Sequence, residues 1–434
     1  MSKYNSESWF KLDNSAVIYP MSITVTTQSL FRLTAEMKDY IDDECLLDAL
    51  TKILPRFPAF RVVMRSGIFR HFFDYNYLPP VVRPDNGILF QKINFFSNNH
   101  YLFRVSYYKN KINIDYFHGL CDGYGAMEFL KALVYQYVIE RGIEPPPANG
   151  AVKIAGEPVP EEELEDGFTK YYRPVDLFGG VIGEMAGKNA FALRGNRFRR
   201  AGYGLIQGTV PTEKLKEAAK RYNCTITAFL VASLLLSITE VHGNDTQKYN
   251  LVAMIPVNLR SFFPSPTLKN FTSLVKAFIN PKAVPPTLQA YCDEVQRQLT
   301  DNLNAGSLQD KISLSSFMVS KWYMKLMPLF LKTFFVKLGK LLSSNTKQTL
   351  IVSNLGEINM PKGFEKYLNG FLFCLNVSRK VPKNVGIVSY NGKTVISFTR
   401  QLVSTRMEKQ FFTRLIKEGV KVSVISNFRE GHGV

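Results

Sequence analysis

The sequence predicts an α/β (α+β) protein made of two similar-sized sandwich domains with mixed sheets and flanking helices. Three observations carry this expectation. The chain has 434 residues, too many for one ordinary core and enough for two. Strand-like runs alternate with helical stretches in both halves. Between the halves lies a stretch of altered composition, residues 145–200, which places the N-terminal domain at 1–175, the C-terminal domain at 201–434 and a connector across 145–200.

The elements follow in order. Residues 18–28 and 31–37 are rich in Val, Ile, Thr and Phe and read as strands. Residues 43–53 set Leu46, Leu47, Leu50 and Ile53 at helical spacing, with Asp42 or Asp43 as the cap. Residues 60–74 read as strand, loop and strand. The β-rich runs 101–108 and 111–117 flank a polar turn at Asn110, a hairpin signal. From Gly123 onward Met127, Leu130, Leu133, Val134 and Tyr137 mark an amphipathic helix. The connector opens on Pro145, Pro146 and Pro147, passes Gly156, Pro158, Pro160 and the acidic run 161–166, and ends in Arg194, Arg197, Arg199 and Arg200. The second half then reads as strand 204–210, helix 212–222, buried helix 225–239 and strand 249–256. Helices 286–302 and 307–342 follow, then strands 349–353, 371–378 and 395–399, and a last helix at 407–418.

A hydrophobic fraction of 46% with 21% charged residues is that of a globular chain, and 33 Phe with 21 Tyr make much of its core aromatic. The net charge of +18 calls either for a polyanionic partner (nucleic acid, anionic headgroups or a phosphorylated cofactor) or for a solvated basic surface. Zinc-finger spacing, an RNP-like aromatic motif and a long basic tail are all missing, so no nucleic-acid partner is expected. Five cysteines, Cys45, Cys121, Cys224, Cys292 and Cys374, are scattered and odd in number. They predict neither a disulfide framework nor a metal site, and they suit a reducing compartment. The polar N-terminus carries no apolar signal core, and the longest apolar run, 226–238, is too short to span a bilayer. The expected location is cytoplasmic.

The residues with chemistry to offer are His118, Gly119, Leu120, Cys121, Asp122 and Gly123. His118 leaves the end of a β-rich run, Gly119 suits a sharp turn, and Gly123 opens a helix. Such a turn presents an imidazole at a cleft while Asp122 braces it from behind. The bland alternative is a core histidine followed by an Asp-Gly turn.

This stretch, continued by Gly125, Phe129 and Leu130, resembles the His-x-x-x-Asp-Gly motif of the CoA-dependent acyltransferase superfamily, which includes chloramphenicol acetyltransferase, condensation domains and alcohol acetyltransferases. Residues 255–260 (IPVNLR), Asn270-Phe271-Thr272-Ser273 and Val352-Ser353-Asn354-Leu355-Gly356 resemble segments of the alcohol acetyltransferase-like branch, in the same order. The resemblance implies two chloramphenicol acetyltransferase-like domains with an active-site tunnel between them. It implies acyl-CoA as co-substrate, no bound cofactor, and an alcohol or amine acceptor. His118 would act as general base and Asp122 would pair with Arg260, with Gly123 supporting the turn. Ser353 or Asn354 would donate to the oxyanion. Phe117 stands where condensation domains and wax-ester synthases carry a first histidine, which points away from them. A stand-alone condensation-type enzyme fed by a carrier protein stays open as an alternative, as does a non-catalytic binding protein on this fold.

A second constellation runs from Lys321 to Leu342. On a helical wheel Lys321, Lys325, Lys332, Lys337 and Lys340 fall in one half, opposite Tyr323, Met327, Phe330, Leu331, Phe334, Leu338 and Leu341. Peripheral membrane contact and a surface helix packed on the core, interrupted by Pro328, are the two expectations for it. The arginines 194–200 suit either CoA phosphates or a solvated linker.

Overall fold

The strands assemble into three sheets in the computed structural model, which describes residues 10–13, 16–21, 23, 28–174, 189–198, 203–320, 326–342 and 348–427. The first large sheet has five strands in the spatial order Leu368–Leu375, Leu30–Met37, Lys111–Phe117, Phe103–Tyr108 and Val82–Pro84, antiparallel except for the last pair. Helix Gly123–Glu140 packs on it and on helix Asp43–Ile53. Asp42 caps the latter, its carboxylate accepting the Cys45 N–H at 3.0 Å. The second large sheet has seven strands, ordered Thr272–Ile279, Leu251–Asn258, Leu350–Glu357, Lys383–Tyr390, Lys393–Arg400, Gly204–Pro211 and Ser423–Ser426. It is mixed, because Leu350–Glu357 runs parallel to both of its neighbours. A small sheet pairs Phe10–Lys11, His71–Tyr75 and Val62–Ser66.

Each large sheet has its own apolar core. In the second core helix Ile226–His242 lies against helices Leu288–Asn302, Arg406–Lys417 and Thr212–Arg221. The stretch Ile226–Lys248 is long and apolar enough to cross a membrane, which the shorter run read from the sequence is not, but 67% of its most apolar window is buried inside the protein. Every residue from Ala228 to Thr239 is buried, as expected of a helix apolar on all sides.

Four expectations change. Residues 18–21 form a helical turn, Ile18–Met21, in place of a strand: Asp13 accepts the Ala16 N–H on both its backbone and side-chain oxygens, and Pro20 has no N–H to give a sheet ladder. The helical stretch expected at 307–342 is broken, and among the described residues it includes helices Ala305–Ser320 and Leu329–Leu342, with Pro328 immediately before the second. Strand Leu368–Leu375 joins the N-terminal sheet beside Leu30–Met37, so the C-terminal half of the chain completes both cores. The described parts of the connector, residues 145–174 and 189–198, are packed as well. Glu163, buried in the acidic run, receives a two-pronged bond from Arg56 at 2.8 and 3.0 Å.

Five strands escape the sequence patterns, at Phe10–Lys11, Val82–Pro84, Thr272–Ile279, Lys383–Tyr390 and Ser423–Ser426. Lys383–Tyr390 is buried along its whole length, and it contains Gly386, whose missing Cβ would lie 2.3 Å from the Phe373 carbonyl oxygen. Lysine, asparagine and glycine in one short run hide a central strand from any apolar pattern.

Candidate active site

The turn after strand Lys111–Phe117 is built from local bonds. The His118 N–H donates to the Ser29 carbonyl and the Leu120 N–H to that of Phe117, both at 2.8 Å. Asp122 then starts helix Gly123–Glu140 by accepting the Gly125 N–H at 3.1 Å. The glycines serve close packing more than backbone strain, since none of Gly119, Gly123 and Gly125 has positive φ. A Cβ on Gly125 would sit 2.0 Å from the Leu268 carbonyl oxygen, and one on Gly123 would meet the Leu355 side chain at 2.7 Å. The helix start is thus pressed against two segments of the other half.

His118 is half-buried. Its ring stacks on Tyr19 at a centroid distance of 4.5 Å and meets the ring of Phe31 edge-on at 5.2 Å. Nδ1 lies 3.2 Å from Asn270 Oδ1. Asn270 is itself buried, and both its Nδ2 and its backbone N–H donate to Asp13 Oδ2, at 3.1 and 3.3 Å. That orientation leaves only an acceptor facing the imidazole, so the proton sits on Nδ1 and the lone pair on Nε2. Burial holds the imidazole below its usual 6.5. The ring is therefore neutral near pH 7, with one basic nitrogen. Burial, and next the charge of Asp166, push the Asp13 carboxyl up to about 7.

Asp122 makes no bond to His118 and acts on the same partner segment. Its Oδ2 accepts from Arg260 Nη1 at 2.8 Å, the Phe271 N–H at 2.8 Å and Thr272 Oγ1 at 2.9 Å. Arg260 continues the hold through Nε to the Thr267 carbonyl at 2.9 Å and Nη2 to the Lys269 carbonyl at 2.6 Å, with its guanidinium 4.5 Å from the Tyr124 ring centroid. Burial alone would raise the Asp122 carboxyl, but Arg260 and the N–H donors hold it below the ordinary carboxylate range. Asp122 and His118 grip residues 270–272 side by side.

His118, Asp122, Gly123, Ser353 and Asn354 line one cavity of about 280 Å³ with Tyr124, Lys131 and Thr272; Arg260 stands behind it. The two oxyanion candidates differ. Asn354 is engaged, with Nδ2 donating to Thr227 Oγ1 at 3.1 Å and Oδ1 accepting the Gly356 N–H at 2.9 Å. Ser353 lies on the same strand and is nearly buried, with no such commitment of its hydroxyl among the described residues. Burial pushes the Cys121 thiol well above its ordinary range, with Asp122 acting in the same sense, so this residue is no nucleophile. Among the described residues no group of three His, Cys, Asp or Glu side chains is placed to hold a metal ion.

Other candidates lie elsewhere. Arg197 bonds Gln401 and the Arg379 carbonyl, and Arg199, Arg200, Lys321, Tyr323 and Lys325 lie outside the described residues. Asp13 and Asn270 are the site residues that sequence reading missed in function. Asn270 opens one of the motif segments, whereas Asp13 sits in a polar N-terminal stretch with no pattern of its own.

No protein-family model matches the chain, and no curated protein sequence does. Solved structures do match. Trichothecene 15-O-acetyltransferase TRI3 from Fusarium sporotrichioides aligns at a TM-score of 0.60 and 9% identity, over 94% of each chain. TRI101 of F. sporotrichioides, complexed with coenzyme A and T-2, aligns at 0.61 and 11% identity, over 96% of this chain and 100% of that one. A variant of the starter condensation domain of rhizomide synthetase RzmA, in complex with C8-CoA, aligns at 0.57 and 12% identity, over 94% of each. Along nearly its whole length, the chain therefore has the two-domain chloramphenicol acetyltransferase-like fold that condensation domains and trichothecene acetyltransferases share.

Proposed function

We propose that the protein is an acyltransferase that moves an acyl group from acyl-CoA to a hydroxyl or amine acceptor, with His118 Nε2 as general base. The observation that carries this is the Asp13–Asn270–His118 chain of bonds, which leaves a neutral imidazole with a single basic nitrogen at a cavity. As the acceptor attacks the thioester carbonyl, Nε2 takes its proton and the carbonyl oxygen gains charge. The Ser353 hydroxyl is the better placed donor to that oxygen, because the Asn354 amide already holds Thr227 and Gly356. The tetrahedral adduct then expels the CoA thiolate, which takes up the proton held by His118. Asp122 and Arg260 position the segment that orients the base. No acyl-enzyme is needed, since the one thiol in the turn, Cys121, is held protonated.

Acceptor-dependent release of free thiol tests the reading. Purified protein is incubated with acetyl-CoA and longer acyl-CoAs against pools of alcohols and amines, and in parallel with an acyl-loaded carrier protein. Thiol release that requires an acceptor supports it. Turnover from the carrier protein alone would assign the site to condensation-type chemistry, and no transfer from any donor would leave a binding protein on this fold.

A further inference from the structure

The tip of the small sheet and helix Leu329–Leu342 form one surface, far apart in sequence and locked together by backbone. The Leu329 N–H donates to the Ile68 carbonyl at 2.8 Å, and Lys332 Nζ donates to that of Phe69 at 2.7 Å. On this surface large apolar side chains face water: Ile68 is 75% exposed, Phe330 70%, Phe334 57% and Phe335 55%. Between the two elements opens a groove of about 800 Å³, lined by Ile68, Leu329, Phe330 and Phe334 and floored by Pro20 and Met21. Scattered exposed apolar residues need no explanation, but a contiguous set of this size on two braced elements marks an interaction surface.

Charge selects the partner. Residues 65–74 contribute Arg65 and Arg70 with one acid, Asp74, 3.7 Å from Arg65, and residues 326–342 contribute Lys332, Lys337 and Lys340. The two stretches together carry a net charge of +4 by sequence, and the second has no Asp or Glu, although the chain as a whole has 36. Exposed aromatics on two elements of net positive charge match the acyl boundary and headgroup layer of an anionic bilayer, where rings enter the interface and basic side chains meet the phosphates. A second copy of the chain fits poorly, because these two stretches would set net positive charge against net positive charge.

We propose that residues 65–71 and helix Leu329–Leu342 together dock the protein on anionic lipid membranes. The test needs no catalytic activity. The full chain is sedimented with vesicles of phosphatidylcholine alone and of phosphatidylcholine with about a quarter phosphatidylserine, at low and high salt. Binding is expected only to the anionic vesicles, and weaker at high salt. Ile68→Ser/Phe330→Ser/Phe334→Ser should lower it by about tenfold or more while the far-UV spectrum stays unchanged. Lys337→Gln/Lys340→Gln, which leaves the apolar groove intact, should lower it several-fold and keeps the test sound if the first variant fails to fold. Equal binding to both vesicle types, no binding at all, or binding that both variants leave intact would overturn the proposal. So would a concentration-dependent dimer in size-exclusion chromatography that the apolar variant abolishes, which would give this face to a second copy.

Discussion

Asp13 fixes the direction of Asn270. One carboxylate oxygen receives both the side-chain Nδ2 and the backbone N–H of Asn270, at 3.1 and 3.3 Å, which turns Oδ1 to within 3.2 Å of His118 Nδ1. Reversing the amide would aim an NH₂ at the imidazole and a carbonyl at a carboxylate. The tautomer of His118 is thereby set from a residue 105 positions earlier in the chain, and several predictions rest on this relationship.

Asn270→Ala should lower kcat by about 10–100-fold with little change in KM, a part of the roughly 10²–10⁴ that a positioned base supplies. Asp13→Asn should do the same more weakly, because it removes the acceptor that holds the amide in place. Steady-state kinetics separate this from simple destabilisation, which lowers the active fraction in both variants and leaves the kcat of folded molecules, counted by active-site titration, unchanged.

Asp122→Ala should destabilise as well as inactivate. It leaves the Arg260 guanidinium buried without its carboxylate and removes the acceptor for Phe271 and Thr272, a loss of about 3–5 kcal/mol for one partner of a buried pair. Urea unfolding monitored by circular dichroism reads this directly, and a midpoint equal to wild type would refute the pairing as a stabilising element.

Gly125→Ala should cost more than an ordinary glycine-to-alanine change in a helix, which is usually mildly favourable. The new Cβ would meet the Leu268 carbonyl oxygen at 2.0 Å, and backbone on both sides cannot give way without parting the helix from the segment that carries Asn270. Gly142→Ala, where a Cβ has nothing within 4 Å but the backbone is left-handed at φ 72°, should show only the smaller strain of that conformation. Thermal melts of the two variants rank them.

The acid limb of kcat/KM should lie below pH 6.5. Burial lowers the His118 pKa, so the base form persists until the pH falls through that depressed value, below the range where a free imidazole is protonated. Titration of Asp13 near 7 changes only the strength of the Asn270 hold and should add a shallow step there that Asp13→Asn lacks. A main limb centred above 6.5 would contradict the assignment.

Much of this site was legible in advance because its parts are local. The strand, turn and helix around His118 follow from a β-rich run, a capping aspartate and helical spacing within thirty residues of chain, and the Asp122–Arg260 contact was suggested by motif resemblance. What stayed hidden is what the fold assembles from afar. Asp13 gains its meaning only when the N-terminal turn folds onto residues 270–272, and strand Leu368–Leu375 crosses to the other sheet by register with Leu30–Met37, for which no periodicity gives a sign. Lys383–Tyr390 shows the same limit, since its glycine is there for the approach of another backbone and its polar ends are satisfied by partners such as Glu408, 2.7 Å from Lys383.

The central claim is that His118 is the base of an acyl transfer, and the rate of acceptor-dependent thiol release by His118→Ala tests it most directly. With acyl-CoA and an accepted alcohol or amine at saturation, and with folding verified by circular dichroism, the variant should lose about 10²–10⁴ of the wild-type rate. A folded His118→Ala protein that keeps more than about a tenth of that rate would contradict the account, because a positioned general base contributes more than that.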